Sequence, residues 1–314
     1  NNLLAEHPNT LQELSILTTY VCGADLLSAK WQITKIPQFA SPDKLFHLNL
    51  SGNDITEIEG LNNLPNLQWL DLSRNQLTKI ENLDKLPNLQ GLVLSINHLA
   101  KIENLDNLPN LQTLDLGMNQ LTKIENLHNL SNLQRLFLRY NELTKIENLD
   151  KLPKLHRLDL GNNQLTKIEN LDALPNLQRL DLCANPLSKI ENLDALPNLQ
   201  RLDLCSNQFT EIENLDKLPN LQVLDLSYNQ LTQVENLDAL PNLQTLQLTS
   251  NAITTTITLT FLRQFPKLLN LDLDGNPISN IYLEIISDYN WLPDLRTYLQ
   301  DLEEGGEPNN EVKV

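Results

Sequence analysis

Along most of this chain, apolar and polar positions recur in one fixed order. The stretch LQWLDLSRNQLTKIENLDKLPN (67–88) aligns without gaps with LQTLDLGMNQLTKIENLHNLSN (111–132) and LQRLDLCANPLSKIENLDALPN (177–198), a period of 22. Units begin at Leu45, Leu67, Leu89, Leu111, Leu133, Leu155, Leu177, Leu199, Leu221 and Leu243. An eleventh begins at Leu268, after a three-residue insertion near AITTTITLTF (252–261). Within LQRLDL the leucines alternate with polar residues, so one short strand per unit turns leucines inward and the residues between them outward.

An asparagine follows each strand: Asn53, Asn75, Asn97, Asn119, Asn141, Asn163, Asn185, Asn207, Asn229, Asn251 and, in the eleventh unit, Asn276. Its amide both donates and accepts, and asparagine tolerates tight turns. Stacked unit on unit, these side chains are expected to satisfy backbone groups that each bend would bury unpaired. One unit buries too few apolar residues to offset the entropy of ordering its backbone. Stacking both faces against neighbours closes that gap.

The pattern LxxLxLxxNxL fits the leucine-rich repeat. The short return IENLDxLPN resembles the 22-residue subclass shared by phosphatase regulators of the SDS22 type and by internalins. The expected fold is an α/β solenoid, a leucine-rich-repeat horseshoe with a parallel concave sheet. Short 3₁₀ or irregular segments fill the convex side, and helical caps close both ends. Residues 1–44 read as an N-terminal helical cap, with capping box Thr10 and Glu13, plus a degenerate first repeat. Residues 45–290 hold the repeats. Residues 291–304 form a second capping helix, with Leu295, Tyr298, Leu299 and Leu302 on one face.

Against so regular a frame, departures are informative. The outward positions of later strands carry Arg157 and Asp159, Arg179 and Asp181, and Arg201 and Asp203, a lattice of alternating, mutually neutralising charge. Earlier units instead present Trp69, Val93, Ile96, Met118, Phe137, Arg139 and Tyr140, with Val93 and Phe137 in place of the usual aspartate. Apolar patches mark contacts, and Trp, Tyr and Arg dominate interface energy. These seven residues are the candidate protein-binding patch. The lysine–glutamate pairs of the returns, from Lys79 and Glu81 to Lys167 and Glu169, read as exposed pairs that aid solubility.

Composition narrows the partner. A net charge of −17 repels phosphates, which argues against nucleic acid. It gives no reason to expect an anionic membrane surface, and no run approaches the roughly 18 apolar residues of a membrane helix. The N-terminus shows no signal-like segment and no Met, as in a fragment. Two N-glycosylation triplets, at Asn49 and Asn129, are chance in a chain this rich in Asn and Ser. Three cysteines without CxxC spacing suggest a reducing, cytoplasmic setting. Cys183 and Cys205, one repeat apart, neighbour each other as free structural thiols rather than as a disulfide or metal pair. No HExxH, GxSxG, GxGxxG or GxxxxGK[ST] occurs, and no carboxylate is placed in a closed pocket. No enzyme, cofactor or metal site is expected in these residues.

The last stretch, LRTYLQDLEEGGEPNNEVKV (295–314), continues past the capping helix through a Gly-Gly break to a strand-like EVKV. It resembles the junction of Roco proteins, in which bacterial-type repeats run into a Ras-like GTPase domain, Roc, followed by the dimerisation domain COR. GNPISNI (275–281) resembles the last repeat of such proteins. The resemblance implies that residues 305–314 are a linker and the truncated first strand of Roc. It also implies that GTP or GDP and Mg belong to that further domain, and that the repeats regulate the GTPase by contacting its own Roc and COR domains or another protein. A free-standing intracellular binder and an internalin-like adhesin are the alternatives.

Overall fold

The computed structural model describes residues 33–36, 42–254 and 259–277, with Leu292, Thr297 and Gln300 in addition. The chain divides into two compact units, Asn1–Gln164 and Leu165–Val314. Each is a stack of repeat turns, every turn contributing one three-residue strand. The first unit holds β1 (His47–Asn49), β2 (Trp69–Asp71), β3 (Gly91–Val93), β4 (Thr113–Asp115), β5 (Arg135–Phe137) and β6 (Arg157–Asp159). The second holds β7 (Arg179–Asp181), β8 (Arg201–Asp203), β9 (Val223–Asp225), β10 (Thr245–Gln247) and β11 (Asn270–Asp272). Within each unit neighbouring strands are parallel, paired in chain order with one-repeat register, as in Leu70 with Leu92 and Leu202 with Leu224.

The inward leucines and isoleucines make the core. Leu70, Leu72, Leu77, Ile80 and Leu86 of one turn are fully buried, and so are their counterparts 22 residues on. The return path is irregular, built from i to i+3 turns such as Leu64 N–H to Leu61 O and Leu67 N–H to Leu64 O.

The strand-end asparagines bind the turns together. Asn119 donates to Leu116 O and Gly117 O of its own turn and to Leu94 O of the preceding one, while its oxygen accepts from Leu99 N–H, all within 3.2 Å. Asn75, Asn97, Asn163, Asn207 and Asn229 repeat this bridging pattern. Two further asparagine columns escaped the sequence reading. Asn82, Asn104, Asn126 and Asn148 donate to the isoleucine carbonyl of the preceding turn at 2.6–2.7 Å. Asn88, Asn110 and Asn132 donate to the proline carbonyl of the preceding turn at 2.8–2.9 Å.

At the N-terminal edge, Ile33 stands where Ile55 stands in the next turn: Asp54 N–H donates to Ile33 O as Gln76 N–H donates to Ile55 O. Ile33 falls within the stretch expected to be a degenerate first repeat. The expected helix around Thr10 and Glu13, most of the expected capping helix over 291–304, and residues 305–314 lie outside the described residues. Between β10 and β11, where only an insertion was expected, the chain forms a short helix, α1 (Leu259–Gln264).

Candidate protein-binding face

A recurring device closes most of the strands. The aspartate at the strand end accepts the N–H two residues on: Asp71 from Ser73, Asp115 from Gly117, Asp181 from Cys183 and Asp225 from Ser227, at 2.9–3.0 Å. Asn49 does the same for Ser51. Val93 and Phe137 forgo this bond, since neither side chain can accept. That makes them costly at these positions unless the outward face uses them.

One residue further on, every turn places a residue in the left-handed region, where side chains are disfavoured. Gly52 and Gly275 occupy it at the ends of the series, at φ 70°. In the first unit Ile96, Met118 and Tyr140 occupy it instead, at φ 57°, 54° and 57°. Met118 and Tyr140 are each 49% exposed. The strain therefore falls on three of the seven predicted patch residues.

The remaining four are half-buried against neighbours. Phe137 lies between Asp115 and Asp159 in register, with the Arg157 guanidinium 4.8 Å above its ring. Arg139 lies 5.3 Å from the Tyr140 ring centre. With the amide oriented to satisfy both groups, the Asn162 oxygen accepts from Nε and Nη2 of Arg139, each at 3.2 Å. Trp69 lies over Gly91, its register partner. Burial drives the Asp115 carboxyl above its ordinary value, against the lowering effect of its bonds to Gly117 and Ser95. The first unit thus presents Phe137, Tyr140 and Met118 with Arg135, Arg139 and Arg157 around them, while Asp159 is buried.

The expected alternating charge lattice is corrected by register. Parallel pairing stacks like on like: Arg179 on Arg201, and Asp181 on Asp203 on Asp225. The ion pair of Arg201 with Asp203, at 3.7 Å, crosses between the two columns. Burial, then the charges of Asp181 and Asp225, push the Asp203 carboxyl up to about 6.

The expectation of free thiols is also corrected. Cys183 and Cys205 are joined in a disulfide, their Cα atoms 4.6 Å apart on adjacent turns. Equivalent positions of adjacent turns project side chains in parallel, within the Cα separation a disulfide requires.

The comparisons agree with this architecture. A family model described as leucine-rich repeats, two copies, matches seven times in succession, from residues 43–85 through to 219–264. A leucine-rich-repeat protein of Leptospira interrogans is 30% identical, with a TM-score of 0.72 over 80% of this chain and 71% of that one. The internalin InlC2 of Listeria monocytogenes is 37% identical over 58% of this chain and 80% of its own, with a TM-score of 0.55. The Listeria internalin InlF is 25% identical over 83% and 90%, with a TM-score of 0.54. No curated protein sequence matches the chain. The chain belongs to the leucine-rich-repeat family. Its repeats form a fold of the protein-interaction module type. Nothing in these likenesses links it to Roco proteins.

Proposed function

We propose that the chain is a docking module that binds a protein through the sheet face of its first unit, centred on Phe137. The observation that carries this reading is Phe137 itself. It gives up the carboxylate that closes neighbouring strand ends, and it stands half-exposed beneath Arg157 instead. Phe137→Glu or Trp69→Glu should abolish recovery of the partner from cell extract while circular dichroism and thermal unfolding stay near wild type. Unaltered recovery overturns the reading.

Two cellular contexts divide on other observations. The resemblance of 275–281 and 295–314 to a Roco junction supports a cytoplasmic module that regulates a GTPase by contacting its Roc and COR domains, in cis or across a dimer. Nucleotide and Mg would then belong to Roc. The disulfide and the internalin relatives favour a free-standing or surface-displayed binder, because such bonds persist in oxidising compartments. Sequencing the gene beyond the Val314 codon separates the two. A completed strand followed by GxxxxGK[ST] supports the GTPase context, and an immediate stop codon removes it.

A further inference from the structure

The turn position of Cys183 and Cys205 is filled elsewhere by Ser51, Ser73, Gly117 or Ser227, so stacking does not require sulfur there. The two sulfurs also have company. The ligand atoms of Cys183, Cys205 and Asp203 all lie within 4.8 Å of one another. Asp203 sits two residues before Cys205 on the same outward side, with its Oδ1 held by the Cys205 N–H at 3.2 Å. Cys183 is buried and Cys205 is half-exposed, so the group opens outward through Cys205.

We propose that Cys183, Cys205 and Asp203 form a binding site for a zinc-class divalent cation, closed by the disulfide and opened when that bond is reduced. The geometry suits such an ion. Tetrahedral thiolate ligands at about 2.3 Å from zinc stand about 3.8 Å apart, a spread that two parallel side chains on neighbouring turns reach by rotation. Two sulfurs and one carboxylate leave a fourth position for water, and thiolate ligands select the softer cations over calcium or magnesium. The stacked carboxylates of Asp181 and Asp225 flank the site and favour positive charge.

The opening step balances with a dithiol as reductant. Its thiolate attacks the more exposed Cys205 sulfur, the Cys183–Cys205 bond breaks, and Cys183 leaves as thiolate. The second thiol of the reductant then displaces Cys205. Two electrons and two protons pass to the protein, and the reductant leaves as a cyclic disulfide. Metal binding releases the thiol protons.

The test uses the whole chain carrying Cys22→Ser, which removes the third thiol. Under anaerobic conditions the dithiol-reduced protein, freed of reductant, is titrated with Co²⁺ and then Zn²⁺. The expected result is one equivalent of Co²⁺ with a thiolate-to-cobalt charge-transfer absorption, displaced by Zn²⁺. The oxidised protein should show none, which needs no further mutation. Cys205→Ser should abolish the band, and Asp203→Asn should weaken binding about tenfold or more. A reduced protein without the band, or a band that survives Cys205→Ser, overturns the site.

Discussion

The indole of Trp69 on β2 lies across Gly91, its register partner on β3, so closely that a Cβ at Gly91 would overlap the indole, with Cδ2 at 2.7 Å. The absence of a side chain on one strand is therefore what seats the aromatic ring on the next. Gly91 has no left-handed backbone to explain it. In an ordinary strand, glycine is worse than alanine by roughly 0.5–1 kcal/mol.

That relationship predicts a change of sign. Gly91→Ala alone should destabilise by about 1 kcal/mol, because the ring must swing off the sheet. In a Trp69→Ala background the same substitution should become neutral or slightly stabilising. Urea unfolding of the four proteins measures the coupling. Additive effects would show that the ring does not occupy the glycine notch.

The asparagine columns differ in what they stand to lose. Asn119→Ala leaves the buried Leu99 N–H without its acceptor and removes one of the donors to Leu94 O, Leu116 O and Gly117 O, which keep Asn97, Asn141 and the Ile96 N–H respectively. The cost should be about 2–4 kcal/mol, and the loss should weaken coupling to the preceding turn enough to broaden the transition. Asn110→Ala removes one exposed bond to Pro87 O and should cost under about 0.5 kcal/mol. Equal costs at the two sites would contradict the burial argument.

How far the sequence reached can be argued from single residues. The period located β1 to β11 because Leu70, Leu92 and Leu114 recur at the spacing that pairing requires. The strand-end asparagines were legible for the same reason. Asn82 and Asn88 were not, because an isolated asparagine in a return reads as a turn residue until turns are stacked and it meets a carbonyl of the turn before. Trp69 with Gly91, and Cys183 with Cys205, are also 22 apart. The register could have paired them, but whether two side chains converge depends on their rotamers, which the spacing does not carry. α1 was hidden in an insertion with too few residues to show helical periodicity.

The stacked aspartates predict a pH effect in the disulfide-bonded, chelator-treated protein. Asp203 titrates near 3.8 when unfolded and at about 6 when folded. The folded state therefore holds that proton more tightly. The stability this gives is present below pH 3.8 and is lost as pH rises to about 6. A shift of about two units corresponds to roughly 3 kcal/mol, which solvent screening at this outward face reduces to about 1–2. Asp203→Asn keeps the acceptor for Cys205 N–H and removes the charge. It should raise stability by that amount at pH 7 and by little at pH 4. Parallel stability curves from pH 4 to 7 would exclude Asp203 as the source.

Ile96 offers the sharpest separation of folding from binding. It is the β-branched residue among those held at positive φ, a conformation in which such side chains are most strained. At the matching position of another turn Asn162 adopts φ 53° at less cost. Ile96→Asn should therefore stabilise the first unit by about 1 kcal/mol in thermal or urea unfolding. If the isoleucine is kept for its outward apolar surface, the same variant should bind the partner several-fold more weakly, despite its greater stability. A gain in stability with unchanged binding would remove Ile96 from the docking face and leave Phe137, Met118 and Tyr140 as its centre.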